Sequence, residues 1–276
     1  MGKLCQLVMG PAGSGKSTFC STIISHAQAT KRSMHLVNLD PAAEHFEYKP
    51  AIDIRDLISL DDVVEELHYG PNGGLIYCLE FLIDNIDWLE DELDNYAEDY
   101  LIIDCPGQIE LYTHIPVMRT VVEVLQRLGY RVGGIYCLDS QFIDDPSKFF
   151  AGVLSAMSAM VQLEIAHINV MTKMDLLGEK GKTLETERFL DVDTDMMLER
   201  AAQDTSMTRF QDLNIAMTRL ISEFNLVSFV PLDITDEDSI ELVLSHIDHA
   251  LQYGEDVEPK ELPDHDADDD DDDASM

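Results

Sequence analysis

Residues Gly10-Pro11-Ala12-Gly13-Ser14-Gly15-Lys16-Ser17 fit the pattern G-x-x-x-x-G-K-[ST] in full. The run follows the short apolar segment Lys3–Met9 and precedes a helical pattern from about Lys16. No other stretch narrows the fold so far. A strand must deliver this loop, a helix must leave it, and the backbone between them must turn inward. Glycines let the N–H groups face phosphate oxygens, and the helix start adds a favourable dipole. Lys16 is placed to reach the β- and γ-phosphates. Ser17, with Thr18 beside it, offers a hydroxyl to Mg²⁺. A Lys-Ser pair opening a helix has no packing purpose, so a plain glycine turn explains it poorly.

A loop of this kind needs acids to help with Mg²⁺ and water. Two aspartates end predicted strands. Asp104 closes Leu101-Ile102-Ile103 and continues Cys105-Pro106-Gly107-Gln108, an Asp-x-x-Gly sequence. There Asp104 holds Mg²⁺ and the Gly107 N–H senses a γ-phosphate. Asp40, after the predicted strand Met34–Leu39, contacts Mg²⁺ or orients the attacking water. Ligands of parallel sheets gather at the carboxyl ends of the strands, where both aspartates lie. Gln108 and Glu110 follow closely and are candidates to position water, or else are solvated loop residues.

Thr172-Lys173-Met174-Asp175 ends another predicted strand, roughly 70 residues after Asp104. It fits [NT]-K-x-D. The Asp175 carboxylate can accept from both N1–H and the 2-amino group of guanine. Adenine has neither donor, and a site built on such bonds discriminates by roughly 10⁴-fold. The Lys173 stem covers the base plane, and Thr172 stands where Asn is more usual. Pro231-Leu232-Asp233, after the last predicted strand, is a weaker candidate to close the base pocket.

Between these motifs strands alternate with helices. Predicted strands also fall at Val132–Leu138, Ile165–Met171 and Leu226–Val230, and helices at about 116–128, 147–163 and 239–253. Ser59 and Asp62 form a capping pattern ahead of Val63, Val64 and Leu67. That helix is expected to stop at Gly70-Pro71-Asn72-Gly73-Gly74, and helical spacing returns over about 75–96. The order predicts an α/β fold, a P-loop NTPase with a mostly parallel sheet and helices on both faces. A helical insertion at about 184–224 precedes the last strand. Its apolar positions Phe189, Met196, Met197, Phe210 and Met217 are read as core, or else as a groove for a client peptide.

Charge bounds the partners. The chain carries 54 Asp+Glu against 18 Lys+Arg, a formal charge of −36. Nucleic acid and anionic membrane surfaces are disfavoured, because both demand clustered Lys and Arg. No run approaches a membrane span, and no signal pattern is present. Residues 255–276 hold 12 acids and one base, with Asp268–Asp273 unbroken, and are expected to be disordered. That divides the chain into a domain over 1–254 and an acidic tail. The five cysteines include no C-x-x-C pair and read as buried thiols of a cytoplasmic or nuclear protein.

The order of Gly10–Ser17, Asp40-Pro41-Ala42, Gly70-Pro71-Asn72, Asp104-Cys105-Pro106-Gly107-Gln108 and Thr172–Asp175 resembles the GPN-loop GTPases, within them the third eukaryotic branch. The likeness spans about 3–253, and Gly70-Pro71-Asn72 is its most specific part. The resemblance implies a GTP- and GDP-binding, Mg²⁺-dependent hydrolase that forms a homodimer or a heterodimer with a paralogue. It implies that Pro71 and Asn72 of one subunit reach the nucleotide of the other. It also implies work on RNA polymerase II subunits, in assembly and nuclear import, by a cytoplasmic protein that shuttles to the nucleus. One departure is informative: related dimeric ATPases carry a second lysine after the first loop glycine, where this chain has Pro11. A nucleotide-gated scaffold with incidental hydrolysis is the alternative. A small-molecule kinase is disfavoured, since the nine arginines form no lid-like cluster.

Overall fold

The computed structural model describes residues 2–254 apart from 45, 47, 97–98, 194, 196–210 and 224–226. The acidic tail expected at 255–276 lies outside the described residues, as do Met196, Met197 and Phe210. Strands β1 (Leu4–Met9), β2 (Met34–Asn38), β3 (Ile52–Asp53), β4 (Tyr100–Asp104), β5 (Arg131–Asp139), β6 (Ala166–Thr172) and β7 (Phe229–Pro231) form one sheet. All pair in parallel, in the order β3-β2-β4-β1-β5-β6-β7. β1 lies between β4 and β5, so its loop opens where the chain changes direction across the sheet, the place where such folds bind ligands.

The inner strands are buried on both faces, and their near-continuous apolar sequences reflect it. On one face α1 (Lys16–Ala29) and the closing helix Glu237–Ala250 pack Phe19, Ile23, Ile240 and Val243 against Leu4, Val8 and Ile102. The other face is covered by α3 (Pro71–Asp84), α4 (Ile86–Asp94), α6 (Val117–Arg127) and α7 (Pro146–Leu163). Phe149 of α7 meets Phe189 edge-on at 4.9 Å, and Phe189 is 1 % exposed. Phe189 is therefore core, and Met217 packs against the same cluster. Truncating a buried ring of this kind costs about 3–5 kcal/mol.

Two local expectations change. Gly70-Pro71-Asn72-Gly73-Gly74 does not close a helix: α2 (Leu60–Leu67) ends earlier, at His68 in the left-handed region. Instead Gly70 caps α3 and Pro71 is its first residue, with Gly74 N–H donating to the Gly70 carbonyl at 2.8 Å. Proline suits that position because its missing N–H would have no helical partner there. Gly74 lets α3 close on α2, since a β-carbon there would lie 2.6 Å from Leu60 Cδ1. The single helix read over about 75–96 is two, divided at Asn85, whose side chain donates back to the Phe81 carbonyl. β3 escaped the sequence altogether, and the last strand begins later than expected, at Phe229. Ser59 does cap α2, accepting from Asp62 N–H at 3.2 Å. All five cysteines are free and buried. Among the described residues no helix is long and apolar enough to cross a membrane.

Candidate functional site

The loop after β1 takes the conformation its glycines allow. Gly10, Gly13 and Gly15 have φ of 139°, 76° and 87°. A β-carbon on Gly10 would sit 2.2 Å from the Cys137 carbonyl oxygen, so no other residue fits there. The turn is held by Ser14 N–H to the Pro11 carbonyl at 3.1 Å, and Pro11 and Ala12 lie at its rim. Lys16 is 8 % exposed and donates to the Pro11 carbonyl at 3.2 Å, folded over the loop it would leave for a phosphate. Ser17 and Thr18 are exposed at the start of α1.

The two strand-end acids come together beside this loop. Asp104 is 2 % exposed and its Oδ1 has no hydrogen-bond partner. Burial pushes its carboxyl up to about 6, opposed by the Ser17 hydroxyl and the Lys16 ammonium, while the Asp40 charge adds to the rise. Burial also raises Asp40, against the Ala42 N–H, Lys16 and Arg55. An orphaned buried carboxylate oxygen, a second carboxylate and an open hydroxyl suit a hard divalent cation. Among the described residues no three His, Cys, Asp or Glu side chains form a metal cluster. The described side chains alone therefore do not enclose an ion, and they offer at most part of a coordination shell.

The segment after Asp104 lies on the loop. A β-carbon on Gly107 would fall 2.9 Å from Ala12 Cα and 3.1 Å from Lys16 Nζ. The glycine backbone therefore lies directly against the loop. Tyr112, fully buried, anchors the segment by donating to the Pro106 carbonyl. Gln108 Nε2 donates to Asn72 Oδ1 at 3.0 Å. The Gly-Pro-Asn turn and the Asp-x-x-Gly turn of one chain are thereby joined. Glu110 is exposed at the start of the short helix α5 (Glu110–Thr113).

The Thr-Lys-x-Asp motif packs against the same loop from β6. Thr172 Oγ1 lies 2.6 Å from the Ser14 carbonyl and 3.1 Å from that of Leu138. Its single proton serves one of them at a time, where the amide of an Asn could serve both. Lys173 takes a φ of 60°, and its ammonium donates to the Gly13 carbonyl at 2.7 Å and Asp139 Oδ2 at 2.6 Å. Its stem so runs along the phosphate loop. Asp175 follows, half-buried, and no described residue bonds its carboxylate. Met174 N–H donates to the Leu232 carbonyl at 3.2 Å, which sets Pro231-Leu232-Asp233 beside the motif. A cavity of about 460 Å³ lies there between Met174, Pro231, Asp233 and Leu242, and no phosphate-loop residue lines it.

Asn38 and Arg55, which bond the turn at Asp40 and Ala43, Asp53, which bonds both of them, and Asp139, which bonds Lys173, are not singled out in the sequence. Asp139 was visible in principle, as a third acid ending a buried strand.

The chain matches a family model described as a conserved hypothetical ATP binding protein over residues 8–253. It is 57% identical to GPN-loop GTPase 3 of Mycosarcoma maydis, over 96% of this chain and 98% of that protein. The GPN-loop GTPase 3 of Dictyostelium discoideum is 56% identical, over 95% of this chain and 92% of its own. That of Schizosaccharomyces pombe is 53% identical over 98% of each. A GTPase of Pyrococcus abyssi, solved in its apo form, superposes with a TM-score of 0.73 at 24% identity, over 89% of this chain and 97% of its own. At that identity the likeness bears on the fold.

Proposed function

The chain belongs to the GPN-loop GTPases, and on that footing we propose that it binds GTP and GDP with Mg²⁺ and hydrolyses GTP as a dimeric switch. The carrying observation is that Thr172 and Lys173 are bonded to the carbonyls of Ser14 and Gly13. Base reading and phosphate holding form one site. The family description speaks of ATP and the relatives' names of GTP. Asp175, an acceptor that no described residue bonds, favours guanine, which brings two donors where adenine brings none.

Each residue's part follows from its chemistry. The loop N–H groups and Lys16 hold the phosphates and stabilise charge on the equatorial oxygens as the γ-phosphoryl group transfers. Water attacks phosphorus in line, the bond to the β–γ bridging oxygen breaks, and its electron pair leaves with GDP. Ser17, Asp40 and Asp104 would hold Mg²⁺, which supplies Lewis-acid neutralisation of phosphate charge when bound. Asp40, Gln108 and Glu110 are the groups that orient the water. The Gly107 N–H meets the γ-phosphate. Asn72, on an exposed helix start, is offered with Pro71 to the second subunit, a second copy of this chain or a paralogue. With charge stabilisation as its main device, the isolated chain turns over slowly.

In the cell this switch serves assembly and nuclear import of RNA polymerase II, as the family resemblance implies, in the cytoplasm and in transit to the nucleus. An acidic body suits basic clients. The test is a competition titration of Mg·GTP, GDP, ATP and XTP on the wild type and Asp175→Asn. GTP and GDP bind, ATP does not, and the variant turns to XTP. Equal competition by ATP would sink the guanine reading and leave an ATP-driven switch.

A further inference from the structure

Asp40 stands on a turn that three other side chains hold. Asn38 Oδ1 accepts the Asp40 N–H at 2.9 Å, and Asn38 Nδ2 donates to the Asp40 carbonyl at 3.1 Å and to Asp53 Oδ1 at 2.8 Å. β3 is only two residues long, and its pairing with β2 sets Asp53 directly opposite Asn38. Arg55 then closes the arrangement. Its Nε donates to Asp53 Oδ1 at 3.0 Å, its Nη2 to Asp53 Oδ2 at 2.5 Å, and its Nη1 to the Ala43 carbonyl at 2.7 Å. The guanidinium also lies 5.3 Å from the Phe46 ring centroid.

The turn from Asp40 to Ala43 is thus gripped at both ends, by Asn38 at its start and Arg55 at its finish. Within it the Ala42 N–H donates to Asp40 Oδ1 at 2.9 Å, and no described residue bonds Asp40 Oδ2. One carboxylate oxygen is spent on the turn and the other is left for the site. Only a planar fork can serve Asp53 and a carbonyl together in this way; a lysine ammonium cannot. A two-residue edge strand adds little apolar burial, so what it contributes is placement. Burial pushes the Asp53 carboxyl up, but Arg55 and the Asn38 amide together hold it below the usual carboxylate range, ionised for its partners.

We propose that Asn38, Asp53 and Arg55 form a positioning relay that fixes the Asp40 carboxylate for hydrolysis, without touching the nucleotide. The inference rests on the reading of Asp40 given above. Small misplacements of a reacting group are costly to rate and cheap to binding, which separates the relay from a general support of the fold.

The experiment compares kcat and KM for Mg·GTP, and GDP affinity, in Asp53→Asn, Arg55→Lys, Arg55→Gln, Asp40→Asn and the double variant Asp40→Asn/Asp53→Asn. Asp53→Asn keeps the side chain's shape but not its charge. It lowers kcat about tenfold, as loss of an orienting partner does, with KM and GDP affinity within about twofold. Arg55→Lys falls between Arg55→Gln and the wild type. In the Asp40→Asn background, Asp53→Asn costs almost nothing more, because both act on one carboxylate. Equal losses in both backgrounds, or a rise in KM with a loss of GDP affinity alongside the fall in kcat, would show a fold-supporting role and overturn the relay. So would wild-type turnover of Asp53→Asn and Arg55→Gln. Full activity of Asp40→Asn would instead remove Asp40 from the mechanism, and the relay with it.

Discussion

The buried carboxylate of Asp104 costs the folded chain stability at neutral pH. Its carboxyl ordinarily titrates near 3.8 and is pushed to about 6 by burial. The folded chain therefore holds that proton more tightly than the unfolded chain does. Below pH 4 the group is protonated in both states and costs nothing. As pH rises through the window from 4 to 6 the cost develops, and above 6 it is full, on the order of 3 kcal/mol. Asp104→Asn should consequently stabilise the metal-free, nucleotide-free protein at neutral pH, and the advantage should vanish by about pH 4. Urea unfolding in chelator at both ends of that range reads it. The same variant should lose Mg²⁺-dependent affinity for nucleotide. At this scale the sequence was legible wherever the chemistry is contiguous: Gly10–Ser17 and Thr172–Asp175 each carry their meaning within a few residues. Arg55 was not, because its partner Ala43 and its coupling to Asn38 depend on the register of β3, which two residues are too few to announce.

β6 shows how one element serves two ends. Its carboxyl end carries Thr172 to the phosphate loop. Lower down, His167 has both ring nitrogens sealed from water without a hydrogen-bond partner. Gly134 on β5 leaves room for the ring, since a β-carbon there would lie 3.0 Å from His167 Nδ1. Burial pushes His167 down to about 4, with Asn169 beside it acting the other way. Here the unfolded chain binds the proton more readily, so stability is constant above about pH 6.5 and is lost as pH falls towards 4. His167→Phe should remove that dependence, seen as a flatter fall of unfolding free energy on acidification. An unchanged slope would mean the acid sensitivity lies elsewhere. Element types were largely readable from alternating apolar runs. The start of α3 is not legible because Gly, Pro and Asn mark the end of a helix and, with proline in the first turn, equally its beginning.

The whole molecule is strongly acidic, with 42 acids and 17 bases before residue 255. Two such bodies repel, and screening relieves the repulsion. Self-association in Mg·GTP should therefore tighten between about 20 and 150 mM NaCl, where the screening length falls below about 10 Å. Sedimentation velocity at both salt levels checks this. Weakening by salt would instead mean an interface of matched opposite charges, as expected for a basic partner. The parallel sheet was legible from the alternation of strands and helices; its strand order, with the direction change at β1, was not. The joining of Asn72 to Gln108 was not, because it spans 36 residues and two elements.

In the dimer proposed above, that bond bears on how a pair of these molecules counts its nucleotides. Gln108 follows the glycine proposed to meet the γ-phosphate, and Asn72 is the residue proposed to face the neighbour. Whatever free energy one chain's nucleotide spends in shifting Gln108 is felt at Asn72, and so at the second active site. Linkage makes the exchange reciprocal: the second nucleotide must change the affinity for the first by the same factor. A dimer wired in this way does not report two independent occupancies. It registers agreement between them, and a mixed GTP/GDP pair becomes a state with properties of its own.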